Sequence, residues 1–319
     1  MTMVLTILLT IVVTLLLLLG AAWLWTLALA RRAEMVVPRT GRLRRVRAGA
    51  IHFVEKGPKD APPIVLIHGI SAQLQHFTYA IADLLADEFR VIAIDRPGCG
   101  YSERERDEDA ALAEQARMIG AFLDAEEIVS PVIVGHSLGG AVALAIALDR
   151  PMQTGALALL APATHVQAEI DPVFKGLEVR TSFMRRFLGN TIAVPMARLT
   201  ADKVLAHAFA PEVPVEDFMR RAGGALGLRP KAYVSGCCDL VMLEQAMPRQ
   251  VARYGELGVP GGVLYGSDDA LLSPRVHGRP MEAFGLSYEE LPGKGHMLPI
   301  TAPQECADFI RRIAKPASD

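Results

Sequence analysis

The stretch Pro131-Val132-Ile133-Val134-Gly135-His136-Ser137-Leu138-Gly139-Gly140 restricts this chain more than any other. A short apolar run leads straight into a Gly-x-Ser-x-Gly turn, and an Ala-rich segment, Gly140 to Asp149, follows. So sharp a turn needs small residues on either side of the serine, because bulky neighbours would clash. It also needs a strand feeding in and a helix leading out. The turn lifts the Ser137 hydroxyl above the sheet and aims the helix N-terminus at it, where developing negative charge is favoured. Gly-x-Ser-x-Gly is a weak pattern alone, and the bland alternative is a Gly-rich turn with an incidental serine. The strand–turn–helix setting is what gives the pattern weight.

The chain around it keeps the same rhythm. Ala48 to Glu55 reads as an antiparallel strand. Pro63 to Ile67, Arg90 to Ile94, Pro131 to Val134, Ala156 to Leu160 and Gly262 to Tyr265 are short apolar runs without polar alternation. Such runs suit strands buried on both faces of a parallel sheet. Phe77 to Asp87, Asp109 to Glu126 and Gly140 to Asp149 read as helices between them. Alternating strands and helices predict a mostly parallel α/β sheet with right-handed crossovers and helices on both faces. The rhythm stops between Thr164 and Leu257, where short amphipathic helices are broken at Pro172, Gly189-Asn190, Pro211, Pro214 and Pro230. An all-helical insertion between sheet strands predicts a cap over the site. The expected division is therefore an anchor over 1–30, a basic juxtamembrane linker over 31–47, a core over 48–163 and 258–319, and a helical cap over 164–257.

The anchor is read from charge. Thr2 to Ala30 contains no charged residue. About 20 apolar residues cross a bilayer core of roughly 30 Å, so this run is long enough with some tilt. Trp23 and Trp25 lie where an aromatic belt would sit. Ala28-Leu29-Ala30 resembles a signal-peptide cleavage site, which leaves export after cleavage as the alternative. A signal peptide, however, has a positive n-region and a much shorter apolar core. Arg31, Arg32, Arg39, Arg42, Arg44, Arg45 and Arg47 all follow the run. The positive-inside rule then predicts a single-pass protein with its catalytic domain in the cytoplasm. The arginines serve as a stop-transfer flank, with contact to anionic lipid as the other reading.

Composition excludes several classes. A net charge of -2 gives no basic field for nucleic acid. The four cysteines (Cys99, Cys237, Cys238, Cys306) form no C-x-x-C pair, so free, buried thiols are expected rather than a zinc, redox or disulfide framework. No His/Cys/carboxylate cluster has metal-ligand spacing and no G-x-G-x-x-G follows a strand, so neither metal nor organic cofactor is expected.

Two further motifs follow predicted strands, at the sheet edge where open α/β sheets hold ligands. His68-Gly69-Ile70-Ser71 follows Pro63–Ile67. Acyl transfer needs two backbone N–H donors for the oxyanion. Leu138, next after the nucleophile, would supply one and Ile70 the other. The His68 imidazole is expected only to brace the loop. Tyr265-Gly266-Ser267-Asp268-Asp269 follows the strand that begins at Gly262, and Gly295-His296 closes a Gly-rich loop about 27 residues further on. His296 would take the Ser137 proton and later return it to the leaving group. Asp269 would hold the imidazole tautomer, with Asp268 as its competitor. The order Ser, Asp, His separates this pattern from other triad folds.

At this point the chain resembles the α/β-hydrolase superfamily over Arg47 to Ala314. The resemblance rests on His68-Gly69, Asp95-Arg96-Pro97-Gly98-Cys99-Gly100-Tyr101-Ser102, the Ser137 elbow, Gly266-Ser267-Asp268-Asp269 and Gly295-His296. It implies the α/β-hydrolase fold, with the D-x-P-G stretch as a structural turn and a helical cap over 164–257. The family's G-x-x-D pattern, counted from Gly266, puts the acid on Asp269. Family members with an aspartate at the elbow open epoxides or remove halogen; here the elbow holds Ser137, which implies acyl or C–C chemistry.

The resulting expectation is a serine hydrolase that cleaves a carboxylic ester through an acyl-enzyme on Ser137. The cap is rich in apolar residues, including Phe183-Met184, Phe187-Leu188 and Phe209. They point to an apolar acyl or alcohol group unless they form the cap's own small core. Two alternatives remain. One is a C–C bond hydrolase of a dione-type substrate, whose carboxylate would need an arginine such as Arg180, Arg185, Arg186 or Arg229. The other is a non-catalytic receptor or scaffold that kept the triad.

Overall fold

A computed structural model describes residues 2–167 and 169–315; Met1, residue 168 and residues 316–319, within the expected anchor, cap and core, lie outside the described residues. The sheet strands are β1 (Arg42–Val46), β2 (Gly49–Lys56), β3 (Pro63–Ile67), β4 (Arg90–Ile94), β5 (Glu103–Arg104), β6 (Val132–His136), β7 (Ala156–Leu160), β8 (Gly261–Gly266) and β9 (Ser287–Leu291). They run in the order β1-β2-β4-β3-β6-β7-β8-β9, with β5 paired to β2. From β4 to β9 every neighbour is parallel, while β1 and β2 are antiparallel. All of β6 and β7 is buried, because helices cover both faces.

The helices are α1 (Thr2–Val36), α2 (Gln75–Thr78), α3 (Ile81–Leu85), α4 (Leu112–Ala125), α5 (Leu138–Asp149), α6 (Ser182–Asn190), α7 (Ala193–Phe209), α8 (Pro230–Val251), α9 (Pro274–His277), α10 (Leu298–Thr301) and α11 (Pro303–Ala314). Leu138 to Leu148 of α5 are all buried, as an Ala-rich helix wedged between α4 and the central strands must be. α11 is amphipathic, with Cys306, Ala307, Phe309 and Ile310 turned into the core beside α3, β7 and β8. The four cysteines are free and buried.

The structure corrects three expectations. First, residues 31–47 are not a linker. α1 continues without a break to Val36, because Ala33 and Val37 extend one apolar face that packs on Ala225 and Leu226 of the cap. Arg42–Val46 is an edge strand whose Arg42 and Arg44 pair with Glu55 and Glu126. Second, the range expected as a helical cap, 164–257, does not all stand over the site. Its C-terminal part returns to the main core, where Met247 and Tyr254 are buried beside the sheet residues. Third, Phe77 to Asp87 is two short helices, α2 and α3, instead of one. β9 escaped the sequence pattern because Ser-Tyr-Glu-Glu-Leu is a half-exposed edge strand with little apolar content.

Candidate active site

Ser137 stands between β6 and α5 with φ 54° and ψ -122°, a conformation L-residues avoid. Such strain costs about 1–3 kcal/mol and persists only where the surroundings dictate it. They do here. The Ser137 N–H donates to the Leu160 carbonyl (3.1 Å), and its own carbonyl accepts from Gly140 and Ala163 (2.9 and 3.0 Å). The flanking glycines are steric necessities. A Cβ on Gly135 would lie 2.5 Å from the Gly139 carbonyl oxygen, and one on Gly139 would lie 2.1 Å from that of Ile67.

His296 and Asp269 meet on loops after β9 and β8. His296 Nδ1–H donates to Asp269 Oδ2 (2.7 Å). The other oxygen, Oδ1, accepts from the Leu271 and Leu272 amides (2.9 Å each), so the buried carboxylate is fixed in orientation. The competing Asp268 is exposed and accepts from the Ser267 hydroxyl instead. With Nδ1 occupied, Nε2 is the free ring nitrogen of His296. Ser137 and His296 line the same two cavities. Among the described residues no hydrogen bond joins them; bonds to a nucleophile are commonly long until substrate is seated.

Ile70 borders both cavities and Leu138 the second. Leu138 opens α5, where a helix's first N–H groups have no partner within it. Among the described residues neither amide donates to a loop or cap carbonyl. The loop that carries Ile70 is clamped from below. His68 Nδ1–H donates to the Gly69 carbonyl (2.8 Å), and His68 Nε2 accepts from the Arg96 amide (2.9 Å). The imidazole therefore braces the loop, as the sequence suggested.

Sequence reasoning missed the other half of that clamp. The buried Arg96 guanidinium donates to the carbonyls of His68 and Gly69 (2.9 Å each), to Gln115, and to Asp239 of α8 (2.7 Å). It ties the loop that carries Ile70 to the cap. Arg96 lies inside the D-x-P-G stretch, so its signal was visible but read only as a turn. Asp95 does serve that turn, accepting from Leu74 and Tyr101 amides (2.8 Å each). Asp239 gave no signal, since nothing local marks a partner so distant in sequence. The cap also braces His296 from the other side: Glu212 accepts from the Gly295 amide (2.7 Å).

Four more buried histidines surround the site. Burial, reinforced by Arg96, pushes His68 down to about 3. Burial, with His296 nearby, pushes His76 down to about 4 and His136 well below the usual range. Burial, with His165 nearby, takes His277 down to about 4. All four are neutral at neutral pH. Of these five histidines only His296 is hydrogen-bonded to a carboxylate.

The two cavities differ in chemistry. One, of about 530 Å³, runs from Ser137 under α7 and is walled by aliphatic and aromatic residues such as Val194, Met196, Leu205 and Phe209. The other, of about 610 Å³, carries Glu169, Asp171, Lys175, Glu178 and Glu244. They meet at Ile70, Ser137, Phe174, Leu271 and His296. Of the cap's aromatics, Phe209 packs in a small cap core with Phe218, whereas Phe183 and Phe187 stand on the outer surface, in neither the core nor a cavity wall. Arg180, Arg185, Arg186 and Arg229 border neither cavity. Arg180 pairs with Glu244, Arg185 and Arg186 with Asp107, and Arg229 with Glu34 and the Gly100 carbonyl. None of these four is therefore placed to hold the carboxylate of a dione-type substrate in either cavity.

Residues 64–309 match the alpha/beta hydrolase family. The chain is 30% identical over 266 residues to the dihydrolipoyllysine-residue acetyltransferase component of the acetoin cleaving system of Pseudomonas putida, covering 82% of this chain and 67% of that one. It is 27% identical over 272 residues to haloalkane dehalogenase 2 of Mycobacterium bovis, covering 82% and 90%. Among solved structures it resembles a bacterial membrane phospholipase A, with a TM-score of 0.66 and 21% identity over 98% of this chain and 97% of the other.

Proposed function

This chain belongs to the α/β-hydrolase family, and we propose that within it the protein is a membrane-anchored serine esterase that cleaves carboxylic esters of apolar acyl chains. The observation that carries the reading is the position of the strained Ser137: with His296, which is bonded to Asp269, it borders the place where an apolar cavity meets one that mixes apolar and charged side chains. An ester whose acyl chain fills the first and whose leaving alcohol occupies the second puts its carbonyl carbon at Ser137.

His296 Nε2 takes the Ser137 proton as the oxygen attacks that carbon. The carbonyl oxygen becomes an oxyanion held by the N–H groups of Leu138 and Ile70. The tetrahedral intermediate collapses, the C–O bond to the alcohol breaks, and His296 returns its proton to the departing oxygen. Water then attacks the acyl-enzyme with His296 again as base, releasing the carboxylic acid and restoring Ser137. Asp269 stays ionised and stabilises the imidazolium in each step. Ser137 also separates this site from aspartate-nucleophile dehalogenases of the family.

The anchor is α1, and its packing favours an uncleaved span. Cleavage after Ala30 would separate Thr26, which donates to the Thr191 carbonyl (3.0 Å) of the cap, from the Ala33–Val37 contact. The arginines that follow the helix favour a cytoplasmic catalytic domain.

The test uses the full chain in detergent with p-nitrophenyl esters of increasing acyl length. Turnover that rises with chain length, and that Ser137→Ala reduces by about 10³-fold or more, is the expected result. A native protein that hydrolyses none of these esters, or a Ser137→Ala variant with undiminished activity, overturns the reading.

A further inference from the structure

Several exposed apolar residues of the cap lie on α6 and α7, the two cap helices that pack on α1. Phe183 is 76% exposed and stacks on Phe187 one turn along α6. Ile192, which caps α7, and Met196 and Leu199 on it are 44%, 49% and 66% exposed and fall at i, i+4 and i+7, a single helical stripe. α6 and α7 pack on each other and both pack on α1. Contiguous exposed apolar surface of this kind marks a contact with a partner or a membrane.

The depth of α1 decides which. From Thr2 to Leu18 the helix is exposed all round. At 1.5 Å per residue this free part is roughly 25 Å long. For a span that ends near Arg31, the first charge after the run, a hydrocarbon core of about 30 Å takes about 20 residues and so includes the part of α1 that packs beside the cap. Thr26 is buried against Thr191, at the junction of α6 and α7. For a spanning α1, this junction, which Thr26 meets close in sequence to Trp23 and Trp25, falls near the membrane boundary, and the stripe lies beside it. Ile192 and Met196 also line the apolar cavity that leads to Ser137, so the cavity's mouth opens on this same face.

We propose that the α6–α7 face of the cap is seated in the lipid bilayer, with Phe183, Phe187 and Leu199 in the lipid, and that acyl substrate enters the Ser137 cavity from the membrane. The inference rests on the reading of α1 as a membrane span. Arg198 and Lys203, exposed on α7, are placed to reach the phosphate layer while their stems cover apolar surface. A soluble ester too short to partition into lipid would bypass this route.

The full chain is reconstituted in phosphatidylcholine vesicles with an environment-sensitive fluorophore on Phe187→Cys or Leu199→Cys. The control is Val129→Cys, also 76% exposed but just before β6, at the sheet edge opposite the cap. The native cysteines are buried, which directs the label to the added one. Nitroxide-bearing lipid is expected to quench the labels at 187 and 199 and to spare the one at 129. Equal quenching at all three sites overturns the seated face even if alkaline carbonate fails to extract the protein; extraction by carbonate refutes the anchor itself. Phe183→Asp/Leu199→Asp, which alters no cavity-lining residue, is expected to lower turnover of a long-chain ester embedded in vesicles by about tenfold. Turnover of a water-soluble short ester stays unchanged. Equal effects on the two esters remove entry from the membrane. A protein that cleaves neither ester refutes the esterase reading, while the quenching still decides the seated face.

Discussion

The carboxyl edge of the sheet and the cap above it are built on opposite terms. At the sheet edge, polar groups are buried and paired: Asp269 with His296, Asp95 with two amides, Arg96 with two carbonyls and Asp239. The backbone is strained at Ser137, and burial keeps four neighbouring histidines neutral. In the cap, Arg180 pairs with Glu244 and Arg185 and Arg186 with Asp107 of the core, while the wall of the first cavity is aliphatic and aromatic. Rigid, dehydrated polar groups are what proton transfer and oxyanion binding require. On the proposed reading, the core edge carries the chemistry and the cap's apolar wall receives the acyl chain.

The sharpest way to break this comparison is within the core edge. Asp269→Asn is expected to lower kcat on p-nitrophenyl esters by about 10⁴-fold, since the wrong His296 tautomer is then held. Asp268→Asn leaves kcat unchanged. Similar losses in both variants would remove Asp269 from its role.

The join between the two regions comes next. Asp239→Ala leaves the Arg96 guanidinium buried without its carboxylate and is expected to cost about 3–5 kcal/mol, read by chemical denaturation in detergent. Replacing both partners, Arg96→Met with Asp239→Leu, recovers part of that loss. An Asp239→Ala protein as stable as the native one would mean that the cap is not held through this pair.

Acid distinguishes the regions by a smaller effect. The buried histidines of the site have folded-state values below the unfolded 6.5, so the unfolded chain binds more protons than the folded one between about pH 6.5 and 4. Stability is full above pH 6.5 and falls as the pH drops through that window. Each histidine contributes a slope of at most about 1.4 kcal/mol per pH unit. Thermal unfolding across that range is expected to show a falling Tm, and His277→Gln, which removes one titrating ring, a shallower fall.

The smallest effect belongs to the outer cap. Phe183→Ser touches no core and is expected to change stability in detergent by about 0.5 kcal/mol or less. A larger loss would mean that Phe183 packs inward.

Much of the site was legible because its residues sit in short contiguous motifs. Gly135-His136-Ser137-Leu138-Gly139 announces its turn, and Gly295-His296 and Gly266 to Asp269 each follow a strand. Steric demands on a tight turn act over a few residues, so they leave a local signature. Arg96 with Asp239, and Glu212 with the Gly295 amide, leave none, because each pair is assembled from distant segments.

By itself the sequence determined the parallel α/β sheet, the Ser137 elbow and the apolar character of α1, since periodicity, glycine sterics and the lack of charge are properties of neighbouring residues. Only the tertiary structure decided that Asp269 and not Asp268 reaches His296, that residues 31–47 join a helix and a strand, and that Phe183 and Phe187 face outward beside α1. Which face of a helix is covered depends on what the rest of the chain brings against it, and no local pattern contains that information.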